Sequence, residues 1–400
     1  MRVLRVRHTV GILAASAILA LAARVVAKTF HSGLGSQQSG VVVYSSGSEK
    51  GQTASKSFAT RTTKLCDLPE KEEYAHPRVQ FLNERDGWVS TGRKLWKTTD
   101  AGASWELTFD GGTSKLGFSR NISDLQFVSA DLGWVLTFEE LRKTTDGGRT
   151  WRLLPNPLSD GWLRSFKFLK DGKIGWVGGG LYRNLGEEEG TTNRFYARDG
   201  TKRGLFAAVF RTDDGGETWR SQPVSRAAGD IGGFYFLDQR HGWAFGEAGD
   251  FYLKDGNWWQ SQSGDVDDRE DPVVKCEEIA IGGPTYCPIA EHFVDPLVGW
   301  LANSNGYIGK STDGGVTWTD IASLRAEGPN YGLPPAIGQF YFFNASTAWG
   351  LEWQGNLRTT LNGGATWTPT RLGFEFEHMY FHDAGHGWAV SKDALFRITP

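Results

Sequence analysis

An aspartate, or in one copy an asparagine, recurs at one fixed point of an eight-residue pattern that the chain carries five times. The copies read TTDAGASW, TTDGGRTW, TDDGGETW, STDGGVTW and TLNGGATW, and their third residues are Asp100, Asp146, Asp214, Asp313 and Asn362. A short Asx side chain accepts hydrogen bonds from nearby backbone N–H groups, and a glycine at the fifth position permits a positive φ. The pattern therefore predicts five structural turns, and we expect none of these residues to be catalytic.

Tryptophan closes every copy of the pattern, and the chain holds 17 tryptophans and 52 glycines in 400 residues. The closing residues are Trp105, Trp151, Trp219, Trp318 and Trp367. An indole is large and amphipathic and can fill a gap between repeated units. A second tryptophan, in a Gly-Trp or Ala-Trp pair, recurs once in each of seven units, at positions 88, 134, 176, 243, 300, 349 and 388.

The spacing of these pairs predicts the fold. Successive pairs are 39 to 67 residues apart, and about 40–45 residues is the period of a four-stranded propeller blade. The two longest steps carry insertions at about 181–208 and 258–288. Short, evenly spaced strands with one aromatic motif per unit predict an all-β protein, a seven-bladed β-propeller of four-stranded antiparallel blades.

The ends of the chain complete this organisation. The seventh unit, 377–399, holds only three strands, so an N-terminal strand is expected to close the last blade, with 41–44 and 59–64 as candidates. Residues 1–27 pair an arginine-rich start with a short apolar run, as a signal peptide or an N-terminal anchor does. Residues 28–60 are a flexible leader in which the first strand candidate lies, and 61–400 form a single propeller.

The eight-residue pattern resembles the Asp-box, or BNR repeat. Together with the recurring Gly-Trp pair, residues 76–400 resemble the photosystem II assembly and stability factor family, Ycf48/HCF136-like. The resemblance implies an exported, non-enzymatic propeller that binds early photosystem II reaction-centre intermediates and aids their assembly. It implies membrane-protein subunits as partners, the reaction centre if the host is phototrophic, and a location in the periplasm or thylakoid lumen. Relatives also occur in bacteria without photosynthesis.

An exported glycan-binding or sialidase-type propeller is the alternative, because sialidases also carry Asp-boxes. Such enzymes need an arginine triad, a tyrosine nucleophile with a glutamate, and an acid. An Arg-Ile-Pro-like signature should precede the first box, and the only similar run, 396–399, lies at the opposite end. We therefore expect no catalytic centre, cofactor or metal.

A basic residue often precedes the turn pattern. These residues are Lys97, Lys143, Arg211 and Lys310, with Lys254 and Arg397 assigned to the matching places in units four and seven. Equivalent positions of a propeller lie on one circle, so this cation ring is a candidate surface for acidic segments of a partner. The alternative is that long cationic side chains simply cover a half-exposed strand.

Both insertions are candidates for recognition. The first lengthens the hairpin between strands two and three of the third unit and carries Arg194, Tyr196 and Arg198, residue types favoured at interfaces. The second contains Cys276 and Cys287, which are expected to form a local disulfide after export.

Charge and histidine spacing exclude two further classes. The formal net charge is −3, which argues against nucleic-acid binding. The protein is separately expected to be a monomer. His378, His382 and His386 have the spacing of a helical metal site. Their segment matches a strand in the other units, where His378 and His382 would lie roughly 13 Å apart.

Overall fold

A computed structural model describes most of the region assigned to the propeller. The described residues are 61–70, 76–113, 119–137, 140–158, 160–184, 194–196, 202–224, 229–247, 249–263, 288–304, 306–324, 335–370 and 374–399. Within these ranges the chain forms 30 β-strands. The same ranges contain no helix that is long and apolar enough to cross a membrane.

The strands form seven sheets, each a blade of antiparallel strands, and six of the blades are built from strands that follow one another in the sequence. Blade 1 has β2 (Arg78–Phe81), β3 (Gly87–Thr91), β4 (Lys94–Thr98) and β5 (Glu106–Asp110). Blade 2 has β6 (Ile122–Phe127), β7 (Gly133–Thr137), β8 (Leu141–Thr144) and β9 (Arg152–Leu153). Blade 3 has β10 (Gly161–Phe168), β11 (Gly175–Asn184), β13 (Lys202–Thr212) and β14 (Arg220–Gln222), with β12 (Arg194–Tyr196) added beside β13.

The second half of the ring repeats this order. Blade 4 has β15 (Gly233–Phe236), β16 (Gly242–Gly246), β17 (Gly249–Lys254) and β18 (Asn257–Gln260). Blade 5 has β20 (Pro288–Phe293), β21 (Gly299–Asn303), β22 (Tyr307–Ser311) and β23 (Thr317–Ser323), with β19 (Gln262–Ser263) parallel to β23. Blade 6 has β24 (Ile337–Phe342), β25 (Ala348–Glu352), β26 (Leu357–Thr360) and β27 (Thr368–Thr370).

Blade 7 closes the ring by joining the two ends of the chain. It has β28 (His378–Asp383), β29 (His386–Val390) and β30 (Ala394–Thr399), and its outer strand is β1 (Arg61–Asp67). β1 is antiparallel to β30, from Arg61 opposite Thr399 to Asp67 opposite Ala394. The predicted N-terminal closing strand is confirmed, and it overlaps the 59–64 candidate. The other candidate, 41–44, lies outside the described residues.

The first strand of each blade contacts the first strands of its neighbours, so that these strands surround the axis of the propeller. Because the strands alternate in direction, the ring has two faces. The turn face carries the loops after first and third strands, which meet at bonds such as Gly147 N–H to the Asp131 carbonyl (2.8 Å). The hairpin face carries the loops after second strands and the connections between blades, joined by bonds such as Gly111 N–H to the Arg93 carbonyl (2.9 Å).

Each Gly-Trp pair builds a seam between two blades. Gly133 lies opposite Phe127 of its own blade, and a Cβ at this glycine would collide with the Phe127 ring. The following Trp134 is fully buried and stacks on Phe168 of the next blade, with ring centroids 3.8 Å apart. Six seams have this stacked pair, and the seventh, Trp349 on Phe381, meets edge to face. The core is therefore divided among the seams.

Each of the five copies of the repeated pattern forms the same type of hydrogen-bonded turn, which the first copy illustrates. The Thr98 hydroxyl donates to Asp100 Oδ1 (2.8 Å), and Gly102 N–H donates to Thr98 Oγ1 (2.8 Å). Ser104 donates to Asp100 with its N–H (2.8 Å) and its hydroxyl (2.5 Å). The glycines at the fifth position have φ between 83° and 97°, as predicted. These contacts lower the pKa of Asp100 to about 2, with the Ser104 hydroxyl as the largest cause.

Candidate functional site

The hairpin of blade 3 sets the hairpin face apart from the turn face. Strands β11 and β13 have 10 and 11 residues, whereas the second strand of every other blade has 5. At about 3.3 Å per residue, the extra five residues carry the hairpin roughly 16 Å further. The second insertion also leaves from this face, because it connects blade 4 to blade 5. Both predicted insertions therefore begin on one side of the propeller.

An aromatic and arginine cluster lies at the base of this hairpin. Trp162, on the first strand of blade 3, meets Tyr182 of β11 edge to face at 5.3 Å. The guanidinium of Arg203 lies 5.6 Å from the Tyr182 ring and forms an ion pair with Asp160. Trp162 Nε1 donates to Asp230 Oδ2 (3.2 Å). Since the first strands surround the axis, these residues lie beside the opening of the axial channel. We call them, together with Arg164, the mouth cluster.

The local sequence explains how Trp162 reaches this position. β10 is bulged between Leu163 and Ser165 where it pairs with β11. A Cβ at Gly179 would collide with the carbonyl oxygen of Trp162, so glycine at 179 lets the bulged backbone approach. Arg164 is the extra residue of this bulge, and its side chain is 54% exposed and lies 3.8 Å from the buried Asp230 carboxylate.

Charged groups continue from this mouth along the first strands of blades 1 to 3. Burial raises the pKa of Asp124, and the charges of Arg78 and Lys167 oppose that rise. Burial lowers the pKa of Lys167, with Asp124 opposing. Burial and the Arg78 charge lower the pKa of His378, whose Nδ1 accepts from Val79 N–H at 3.3 Å. His378, on the first strand of blade 7 beside blade 1, is therefore neutral near pH 7, and this wall carries two basic side chains, Arg78 and Lys167, with the acid Asp124 between them.

The opposite wall, from blades 4 to 7, is aromatic. Tyr235, His292, Tyr341 and Tyr380 each precede the phenylalanine that ends, or nearly ends, a first strand. The Tyr235 ring lies 4.9 Å from His292, which lies 5.3 Å from Tyr341. The Tyr235 hydroxyl donates to the Phe293 carbonyl (3.0 Å), so this wall also ties neighbouring blades together. The axis is thus lined by ionisable side chains, two of them basic, on one side and by aromatic side chains on the other.

The cation ring lies at the seams, on the turn-face side. Its members lie 4.6 to 5.9 Å from tryptophan rings: Lys97 at Trp88, Lys143 at Trp134, Arg211 at Trp176, Lys310 at Trp300 and Arg397 at Trp388. Several also bond to protein groups. Lys97 Nζ donates to the Ala130 carbonyl (3.2 Å), and Arg397 pairs with Glu84 (3.1 Å).

Lys254 does not belong to this ring, and its assignment from the sequence was wrong. The residue paired with Trp243 in blade 4 is Tyr252, just as Lys97 is paired with Trp88 in blade 1. Lys254 lies two residues further on, at the end of β17. The degraded turn pattern of unit four shifted the alignment by two positions, so the ring has no cation in blade 4.

The remaining predicted residues are placed only in part. Arg194 and Tyr196 bound β12, which pairs with β13 from Arg194 opposite Gly204 to Tyr196 opposite Lys202. Arg198, Cys276 and Cys287 lie outside the described residues, as do residues 1–60. Within the described part, no group of three or more His, Cys, Asp and Glu side chains could hold a metal ion.

Sequence reasoning missed the mouth cluster. Trp162 follows Gly161 in a further Gly-Trp pair, 14 residues before Trp176 and out of register with the seven repeated pairs, and that departure from the spacing was the available signal. Arg164 and Asp230 lie 66 positions apart, and nothing in the sequence pairs them.

No family model and no curated protein sequence matches the chain, but solved structures do. A structure described as Ycf48 bound to D1 peptide matches with a TM-score of 0.56 and 18% identity, covering 87% of this chain and 99% of that one. Ycf48 from Cyanidioschyzon merolae matches with a TM-score of 0.53 and 15% identity, covering 84% and 99%. The chain has a Ycf48-like fold. An ancestral GH74 enzyme also matches, with a TM-score of 0.51 and 12% identity, covering 79% of this chain and 43% of that one.

At these identities the shared feature is the propeller, which hosts many functions. The function must therefore be argued from the residues of the site.

Proposed function

We propose that this protein is an exported, non-enzymatic binding and assembly factor. It holds an exposed segment of a membrane-protein subunit at the mouth of the channel on the hairpin face. In a phototrophic host, the partner is a photosystem II reaction-centre subunit. The factor stabilises a partly assembled state in proportion to its occupancy, as any ligand that prefers one state does.

The mouth cluster is the observation that carries this proposal. Tryptophan, tyrosine and arginine dominate the energetics of protein interfaces, and here Trp162, Tyr182 and Arg164 lie together beside a projecting hairpin. The side chains are held by Asp230 and by one another, so little conformational entropy is lost on binding. A rigid aromatic and cationic step suits an extended segment with acidic residues.

Further support comes from the hairpin and the first strands. Arg194, Tyr196 and Arg198 of the first insertion are residue types favoured at interfaces, and we propose them as further contacts on the grounds of sequence. Arg78 and Lys167 add positive charge further along the axis, which favours a partner segment with carboxylates. The similar structure of Ycf48 bound to D1 peptide is a precedent for this fold as a peptide-binding scaffold. We assign the cation ring a smaller contribution to partner binding, because its members already contact tryptophan rings and protein oxygens.

The test is a cross-linked pull-down of the tagged protein from native membranes, read by mass spectrometry. Wild type is compared with Arg164→Glu, with Trp162→Ala and with the control Arg149→Glu, an exposed arginine on the turn face. Loss of an interface hot spot costs about 2 kcal/mol or more, so each mouth variant should capture the membrane subunit at least about tenfold less. The control should capture it as wild type does.

Two results would overturn the proposal. One is equal capture by wild type and both mouth variants, which would move binding elsewhere. The other is recovery of glycan or cell-envelope material without any membrane-protein subunit, which would favour the glycan-binding alternative.

A further inference from the structure

The seam between blades 4 and 5 breaks a rule that the other six seams follow. In each of those, an aliphatic residue of the third strand shares a cluster with an apolar residue of the next blade's first strand. The pairs are Leu95–Leu125, Leu141–Phe166, Val209–Phe234, Ile308–Phe340, Leu357–Met379 and Leu395–Val79.

Two acids occupy both of these positions in the remaining seam. In blade 4, Trp243 is opposite Tyr252, and Asp250 lies two residues before Tyr252 on the third strand. In blade 1, Trp88 is opposite Lys97, and Leu95 lies two residues before Lys97. Asp250 therefore occupies the position that Leu95 has in blade 1. Glu291 lies two residues before Phe293, as Leu125 lies two residues before Phe127. A single buried acid could be an isolated exception to the apolar seam. Acids at both contacting positions of one seam indicate that the two side chains interact as a pair.

Both acids are buried, and among the described residues neither has a partner other than the opposite acid. Asp250 is 1% exposed and Glu291 is 6% exposed. Apart from the partner carboxyl itself, no hydrogen-bond donor among the described residues reaches any of the four carboxyl oxygens. The two side chains bond to each other. A carboxylate can only accept, so one of the two must hold a proton to donate it.

The described elements around the pair supply no counter-charge. The titratable side chains nearest in the fold are Tyr235 on β15, Tyr252 on β17 and His292 on β20. Tyr235 donates its hydroxyl to the Phe293 carbonyl, and its ring faces His292 at the axis. Within the described residues, no charged group other than its partner acts on the pKa of Asp250 or Glu291.

We propose that Asp250 and Glu291 form a proton-operated latch between blades 4 and 5. When the pair holds a proton, a carboxyl–carboxylate hydrogen bond bridges the seam. When the pair loses that proton, two like charges face each other in an apolar seam and loosen it. The strand that leaves blade 4 is tied to the same place, because Ser261 N–H donates to the Asp250 carbonyl (2.9 Å) and its hydroxyl donates to the Gly315 carbonyl (2.6 Å).

The direction of the pH effect follows from the two states of the chain. Burial raises the pKa of Glu291 to about 8, and burial together with the charge of Glu291 raises that of Asp250 well above its usual range. In the unfolded chain both carboxyls titrate near pH 4. The native state therefore holds more protons between about pH 4 and 8. The stabilisation is complete below pH 4 and is lost as the pH rises through the folded pKa.

The experiment is denaturant unfolding of the full chain at several pH values from 5 to 9. Wild type is compared with Asp250→Leu/Glu291→Leu, which copies the other seams, and with Asp250→Asn/Glu291→Gln, which keeps the shape and removes the titration. A control, Asp213→Asn/Glu217→Gln, removes two partly exposed carboxylates from the turn face. Hydrogen exchange of β17 and β20, compared between proteins at the same pH, localises the effect.

We expect the denaturation midpoint of wild type and of the control to fall as the pH rises, and the midpoints of both seam variants to fall much less. Amides of β17 and β20 should exchange faster in wild type than in the Leu variant at pH 9, and at similar rates at pH 5. Parallel pH profiles for wild type and both seam variants would overturn the latch. So would an exchange difference spread over all blades.

Discussion

The indole of Trp134 lies almost parallel to the phenyl ring of Phe168, with 3.8 Å between ring centroids and 7° between planes, although the two residues belong to consecutive blades. The Gly-Trp or Ala-Trp tryptophan of each blade thus packs against a phenylalanine of the next blade, and this contact repeats around the ring. No blade buries its own core completely. The stability of the propeller therefore resides in the seams.

Replacing Trp134 by alanine tests the energetic weight of a seam. Trp134 is fully buried, and truncation of such an aromatic costs about 3–5 kcal/mol through lost burial and the cavity left behind. Denaturant unfolding of Trp134→Ala, Phe168→Ala and the double variant should also give a coupling energy of about 0.5–1.5 kcal/mol. The control is Trp259→Ala, because Trp259 is 54% exposed and should change stability little. Additive single effects would contradict direct coupling between the two rings.

Substitution of Asp146 by asparagine tests the turns through pH. The Thr150 hydroxyl is the largest cause that lowers the pKa of Asp146 to about 2, with the Thr150 N–H and Thr144 hydroxyl adding to it. Because this folded pKa lies below the unfolded value near 3.9, the carboxylate stabilises the fold above about pH 4. That contribution is lost as the pH falls towards 2.

Asn362 shows that an amide can close the same turn, with Thr366 N–H donating to its Oδ1 at 3.0 Å. We therefore expect Asp146→Asn to unfold like wild type at pH 7 and to lose less stability between pH 4 and 2. Thermal unfolding across that range measures it, with Asp131→Asn, an acid on the same face, as the control. An acid profile identical to that of wild type would show that the turn carboxylate does not contribute.

Removal of the ammonium of Lys97 separates the two interpretations of the cation ring. Lys97→Met keeps most of the aliphatic stem and removes the charge 5.4 Å from the Trp88 ring, together with the bond to the Ala130 carbonyl. We expect a loss of about 1 kcal/mol in unfolding free energy and unchanged partner capture. Lys170→Met, an exposed lysine in the turn after β10, is the control. Unchanged stability with lost capture would assign the ring to partner binding instead.

The sequence by itself determined the fold and the turns. The Asp-Gly turn chemistry is local, since Asp100 bonds only residues within four positions of itself. The number of repeat units then predicted the number of blades, because each of the first six units contains one complete four-strand meander. The missing strand of the last unit required an N-terminal partner, which the structure supplies as β1.

Only the tertiary structure decided which residues meet across seams and at the mouth of the channel. Asp250 and Glu291 are 41 positions apart and look like ordinary surface acids in the sequence. Their contact arises because a third strand packs against the first strand of the next blade. Trp162 and Asp230 meet for a similar reason, since the blade that separates them in sequence folds back on itself. Local patterns fix turns and periods, whereas burial and charge pairing depend on distances that only the closed ring sets.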